Sequence, residues 1–99
     1  MDNDLDFGSG FTGRWASWSP DRELNPQYEG FADLEKASLI LTCPHGDGAV
    51  SVHPPEYNEI FNDTGWTVES WEPLTLSPSI LRNECGCHGY IREGKWVSA

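Results

Sequence analysis

Basic residues are scarce in this 99-residue chain: six Lys and Arg stand against sixteen Asp and Glu, a formal net charge of -10 at pH 7. The deficit is uniform, since residues 1–36 and 37–99 each hold eight acidic and three basic side chains. A negative field spread in this way repels phosphate backbones and anionic lipid, which argues against direct binding to nucleic acid or a membrane. A basic protein partner is the electrostatic complement, and the plainer alternative is that the carboxylates only keep the domain in solution. Long hydrophobic runs are also missing. Residues 1–10 have neither a basic start nor an apolar stretch, so they read as neither a signal peptide nor a membrane anchor, and a cytoplasmic location is expected. Cysteine is limited to Cys43, Cys85 and Cys87. An odd number of thiols does not close a disulfide framework and suits a reducing compartment.

Aromatic side chains are present in force: five Trp, four Phe and three Tyr concentrate the apolar area in a few large anchors. A chain of this length makes one domain with a marginal core. Residues 1–10, acidic and Gly-containing, read as a flexible acidic arm, and 11–99 as a single small domain. Within it Arg14, Trp15, Trp18 and Tyr28, interleaved with Pro20 and Pro26, read as a long irregular aromatic segment and a candidate binding surface. Ala37–Cys43 is the most apolar run and predicts a buried strand, and Ala49–His53 a second strand ended by Pro54-Pro55. Tyr57, Ile60 and Phe61 are spaced for a short helix over 56–62. Trp66–Trp71 alternates as a strand, and Gly89–Ile91 with Lys95–Val97 flank a Gly-containing turn as a closing hairpin. The expected fold is mainly β, a small antiparallel sheet, with a small α+β arrangement as the variant.

Cys85 and His88 stand at a C-x-x-H spacing with Gly86 between them to bend the chain, and Cys43-Pro44-His45-Gly46 offers a second ligand-rich turn. Two turns of two ligands make a tetrahedral site, so Cys43, His45, Cys85 and His88 are the expected ligands of a structural zinc ion. Cys87 is an alternative ligand, and Asp47 or His53 could replace His45 if the first turn folds differently. The competing reading is a set of buried cysteines beside surface histidines.

Catalytic motifs are not evident. Gly8-Ser9-Gly10-Phe11-Thr12-Gly13 fits G-x-G-x-x-G without the strand and helix that such a loop needs, and Asp2, Asp4 and Asp6 lack the glycine and closing Glu of a calcium loop. A three-ligand zinc hydrolase with Glu84 or Asp47 as base is a lesser alternative.

The run Gly13-Arg14-Trp15-Ala16-Ser17-Trp18-Ser19-Pro20-Asp21-Arg22-Glu23-Leu24-Asn25-Pro26-Gln27-Tyr28 resembles the opening of a family of small zinc-binding-like proteins of actinobacterial tailed phages. The stretch from Trp66 to Ile80, the C-x-x-H turn, Gly89-Tyr90-Ile91 and Gly94-Lys95-Trp96 are similar to its closing pattern. A broader related set has C-P-C-G-C where this chain has Cys43-Pro44-His45-Gly46-Asp47. The resemblance implies a phage product acting in the host cytoplasm, with Cys43, Cys85 and His88 carrying over as ligands. The expectation is therefore a non-catalytic, zinc-stabilised module that binds a host or phage protein, with an acidic nucleic-acid mimic as the alternative.

Overall fold

The computed structural model describes residues 5–82 and 85–99, and its strands form three antiparallel sheets. The first has the order β1 (Leu5–Gly8), β2 (Phe11–Trp18), β3 (Leu34–Cys43) and β4 (Gly46–Ser51). Alternation decides which face of β3 is inside: Ala37, Leu39, Leu41 and Cys43 are buried while Lys36 and Thr42 are exposed. The mainly β expectation therefore holds, and the apolar run that predicted a strand lies wholly within β3.

Two further sheets complete the molecule. One is the hairpin β5 (Thr67–Trp71) and β6 (Leu74–Ser77); the other has the order β7 (Ile80–Arg82), β8 (Cys87–Arg92) and β9 (Lys95–Ser98). The closing hairpin foreseen in the sequence is β8–β9, turned at Glu93 and Gly94, both with positive φ. Between β4 and β5 the chain makes one 3-10 turn at Pro55–Tyr57 and a single helical turn α1 (Asn58–Phe61), which Asn62 ends in the left-handed conformation.

The core joins the sheets. Leu39, Leu41 and Val50 of the first sheet pack with Leu74, Leu76, Ile80 and Ile91 of the others, and Phe11 stacks on Trp96 with ring centroids 4.0 Å apart. Burying each such aliphatic side chain contributes on the order of 1.5–3 kcal/mol, so a handful of contacts carries most of the cohesion. Gly89 lies under Trp96. A Cβ there would meet Trp96 Cζ2 at 2.6 Å and the Val97 carbonyl oxygen, so the close approach of β8 and β9 requires glycine.

Two expectations are corrected. Residues 1–10 do not read as an arm from Leu5 onward, because Leu5–Gly8 is a strand and Phe7, only 2% exposed, belongs to the core; residues 1–4 lie outside the described chain. The aromatic segment begins as the eight-residue strand β2, and irregular chain with one 3-10 turn at Pro26–Tyr28 follows only after Trp18. The Gly8-Ser9-Gly10 stretch that suggested flexibility is a tight hairpin turn, all three residues having positive φ.

Candidate functional site

The β3–β4 turn and the β7–β8 turn meet at the edge of the core. They bring together Cys43, His45, Cys85 and Cys87, whose ligand atoms all lie within 4.8 Å of one another. Cys43 Sγ is 3.6 Å from Cys85 Sγ and 3.8 Å from His45 Nδ1; Cys87 Sγ is 3.2 Å from Cys85 Sγ and 3.6 Å from His45 Nδ1. Metal–sulfur bonds of about 2.3 Å in a tetrahedron separate the sulfurs by about 3.8 Å, so the four residues can hold a metal ion with little adjustment.

The electrostatics agree with that use. Burial raises the Cys43 thiol, but the His45 backbone N–H, the His45 ring and the Cys85 and Cys87 thiols outweigh it and bring Cys43 down to about 6. The hydrogen bond with Cys85, then burial and then Cys43 push Cys87 up to about 11. Sulfurs this close do not all ionise unaided, because each new thiolate faces the one already formed. A bound cation removes the conflict.

The expected ligand His88 is elsewhere. Successive strand residues point to opposite faces, so once Cys87 at the start of β8 turns toward the cluster, His88 turns away from it. His53 is buried, and its Nε2 lies 3.0 Å from both Asn58 Oδ1 and the Asp63 carbonyl, two acceptors that fix it as a structural donor. Asp47 is exposed on β4, outside the cluster, and Glu84 lies outside the described residues.

The partner of His88 is Ser79. His88 Nε2 and Ser79 Oγ are 3.1 Å apart, with His88 exposed and Ser79 half-buried. The pair sits on rigid supports: Ile80 and Leu81 lie opposite Gly89 and His88 in the β7–β8 ladder, and Trp66 Nε1–H donates to the Ser79 carbonyl at 3.2 Å. A neutral imidazole accepting the hydroxyl proton through Nε2 is the arrangement that activates a serine as a nucleophile. Neither residue was assigned a catalytic role from the sequence, since Ser-Pro-Ser-Ile carries no recognised nucleophile motif. A cleft of about 250 Å³ opens beside the pair, with Ser77, Pro78, Tyr90 and Arg92 in its walls.

The aromatic residues proposed for binding divide into two groups. Trp18 packs edge-on against Tyr28, Tyr57 and Phe61, and Tyr57 Oη–H donates to the Ala32 carbonyl, so this cluster pins the irregular 19–33 segment. Trp15 instead faces Trp71, with the Lys36 ammonium 5.5 and 5.3 Å from the two rings. Arg14 is exposed on β2. The larger cleft, about 590 Å³, is at Trp15 and Trp71. Among the described residues no helix is long and apolar enough to cross a membrane.

A family model described as bacterial ubiquitination-like system serine protease (BubE) matches residues 17–99. No curated protein and no solved structure matches the chain. The family match overturns two expectations, that the protein is non-catalytic and that it acts only by binding a host or phage protein or by mimicking nucleic acid. Those readings rested on charge, on the absence of a familiar motif and on the phage-family resemblance, none of which reports on a serine and a histidine joined only by the fold.

Proposed function

The chain belongs to the bacterial ubiquitination-like system serine protease family, and from that premise we propose that it is a serine hydrolase in which Ser79 is the nucleophile and His88 the general base. The observation that carries the proposal is the 3.1 Å contact between Ser79 Oγ and His88 Nε2, next to a cleft walled by the neighbouring Pro78 and by Tyr90. Ser79 Oγ attacks the carbonyl carbon of a peptide-type amide as its proton passes to His88 Nε2. The tetrahedral oxyanion collapses, the C–N bond breaks, and the leaving amine takes the proton from the imidazolium. Water, deprotonated by His88, then hydrolyses the acyl ester and restores the serine. The bond cleaved would be one formed in a ubiquitination-like system, as the family description suggests.

The Cys43, His45, Cys85 and Cys87 set would hold a structural zinc ion. Three thiolates and an imidazole suit zinc, and four protein ligands leave no position for a reacting water. Its contribution is architectural: Cys87 precedes His88 directly, so clamping the β7–β8 turn fixes the backbone from which the base projects.

A fluorophosphonate probe followed by peptide mass mapping tests the reading. Label is expected on Ser79 of the wild-type protein and absent from S79A. H88A is expected to slow labelling by roughly a hundredfold to ten-thousandfold, the usual contribution of a general base. Label on a different serine, or labelling of H88A at the wild-type rate, would refute the assignment.

A further inference from the structure

The outward face of the β7–β8–β9 sheet carries a track that begins at the nucleophile. Directly opposite residues of an antiparallel pair share a face, so Leu81 with His88, Tyr90 with Val97, and Arg92 with Lys95 form three successive rows on it. Leu81 is 56% exposed and Val97 39%. The last row places two cations opposite each other, an arrangement that costs stability unless something anionic lies between them. Neither Arg92 nor Lys95 forms an ion pair with another described residue, although the chain has sixteen carboxylates. The Arg92 guanidinium is instead stacked over the Tyr90 ring, 4.2 Å from its centroid, which holds the fork ready at small entropic cost. Arg92 and Tyr90 also line the cleft that reaches Ser77 and Pro78 beside the nucleophile; Glu69 and Glu93 line it too.

We infer that Arg92 and Lys95 form a carboxylate-recognition subsite for an extended peptide lying on this face, with Tyr90 and Val97 as its apolar bed. Arg92 lies four residue steps along β8 from His88, about 13 Å at ~3.3 Å per residue, so the carboxylate recognised is about four residues from the scissile bond. In a molecule of net charge -10 this is a place where two cations face each other across one ladder pair, with Glu69 and Glu93 on the cleft wall beside them. The carboxylate is either an Asp or Glu side chain or the terminal carboxylate of the peptide. The inference rests on the Ser79–His88 reading for its place next to the chemistry, and on the charge pair alone for its ligand.

Fluorescein-labelled hexapeptides carrying one Glu, or Gln in its place, each with a free or amidated C-terminus, are titrated by anisotropy against S79A protein. A carboxylate-bearing peptide is expected to bind at least tenfold more tightly than its neutral counterpart, and R92Q/K95Q to erase the difference without lowering Tm. Dependence on Glu identifies a side-chain carboxylate, and dependence on the free terminus identifies the chain end. The same peptide, unlabelled, is expected to slow fluorophosphonate labelling of Ser79 in wild-type protein. Equal binding of charged and neutral peptides, a preference surviving in R92Q/K95Q, or tight binding that leaves Ser79 labelling unhindered would each overturn the subsite. If Ser79 takes no label at all, the nucleophile assignment fails while the anisotropy series still decides whether Arg92 and Lys95 bind a carboxylate.

Discussion

Cys87 and His88 are neighbours in sequence that turn to opposite sides of β8, and substitution separates the roles proposed for them. C87A is expected to lose bound metal and H88A to keep a full equivalent while losing activity; metal content measured on both purified variants checks this. A retained ion in C87A with a lost ion in H88A would restore the C-x-x-H pairing. The spacing suggested that pairing because both residues can reach one ion from a bent turn, but β8 starts at Cys87 and its alternation sends the two side chains apart. Cys43, His45 and Cys85 were readable because each sits in or beside a turn that brings it near the others. Ser79 was not, because its only mark of function is a histidine nine residues away, delivered by strand register.

At the scale of elements, the β8–β9 hairpin must carry both the core residue Trp96 and the proposed base His88, and Gly89 lets them coexist. G89A is expected to destabilise the protein by about 1–3 kcal/mol or more through overpacking against Trp96, read as a lowered urea midpoint. An unchanged midpoint would show that β9 can shift. Of the elements, β3 and the closing hairpin were readable from apolar runs and turn residues. β1 was hidden because Leu5 and Phe7 are its only apolar side chains, and their partners come from β2 and from strands far along the chain. The helix expected at 56–62 shrinks to a 3-10 turn and one helical turn, since Pro54-Pro55 starts it and Asn62 stops it.

For the whole molecule, the Cys43, His45, Cys85 and Cys87 cluster bridges the first sheet and the third, so if it holds the proposed ion, chelation should loosen their contact. Structural zinc sites contribute apparent binding energies of about 10 kcal/mol or more in small peptides, comparable with the stability of an entire domain. Chelator-treated protein is therefore expected to unfold at a much lower temperature, and calorimetry showing no change would argue against a structural ion. Acid should act in the same direction. Cys43 is depressed from 9.0 to about 6, so its stabilising contribution is complete above the unfolded value and disappears as pH falls through about 6. In metal-free protein Tm should rise between pH 6 and 9 and then fall between about 9 and 11, where Cys87, raised to about 11, keeps its proton in the folded state after the unfolded chain has lost it.

Phe11 and Trp96 meet although nearly the whole sequence separates them. On a ribosome the aromatic clasp cannot close until β9 has emerged, so this part of the core forms late. Contacts spanning this distance form slowly, which leaves the newborn polypeptide open to proteases and chaperones for longer than a helical protein of equal size.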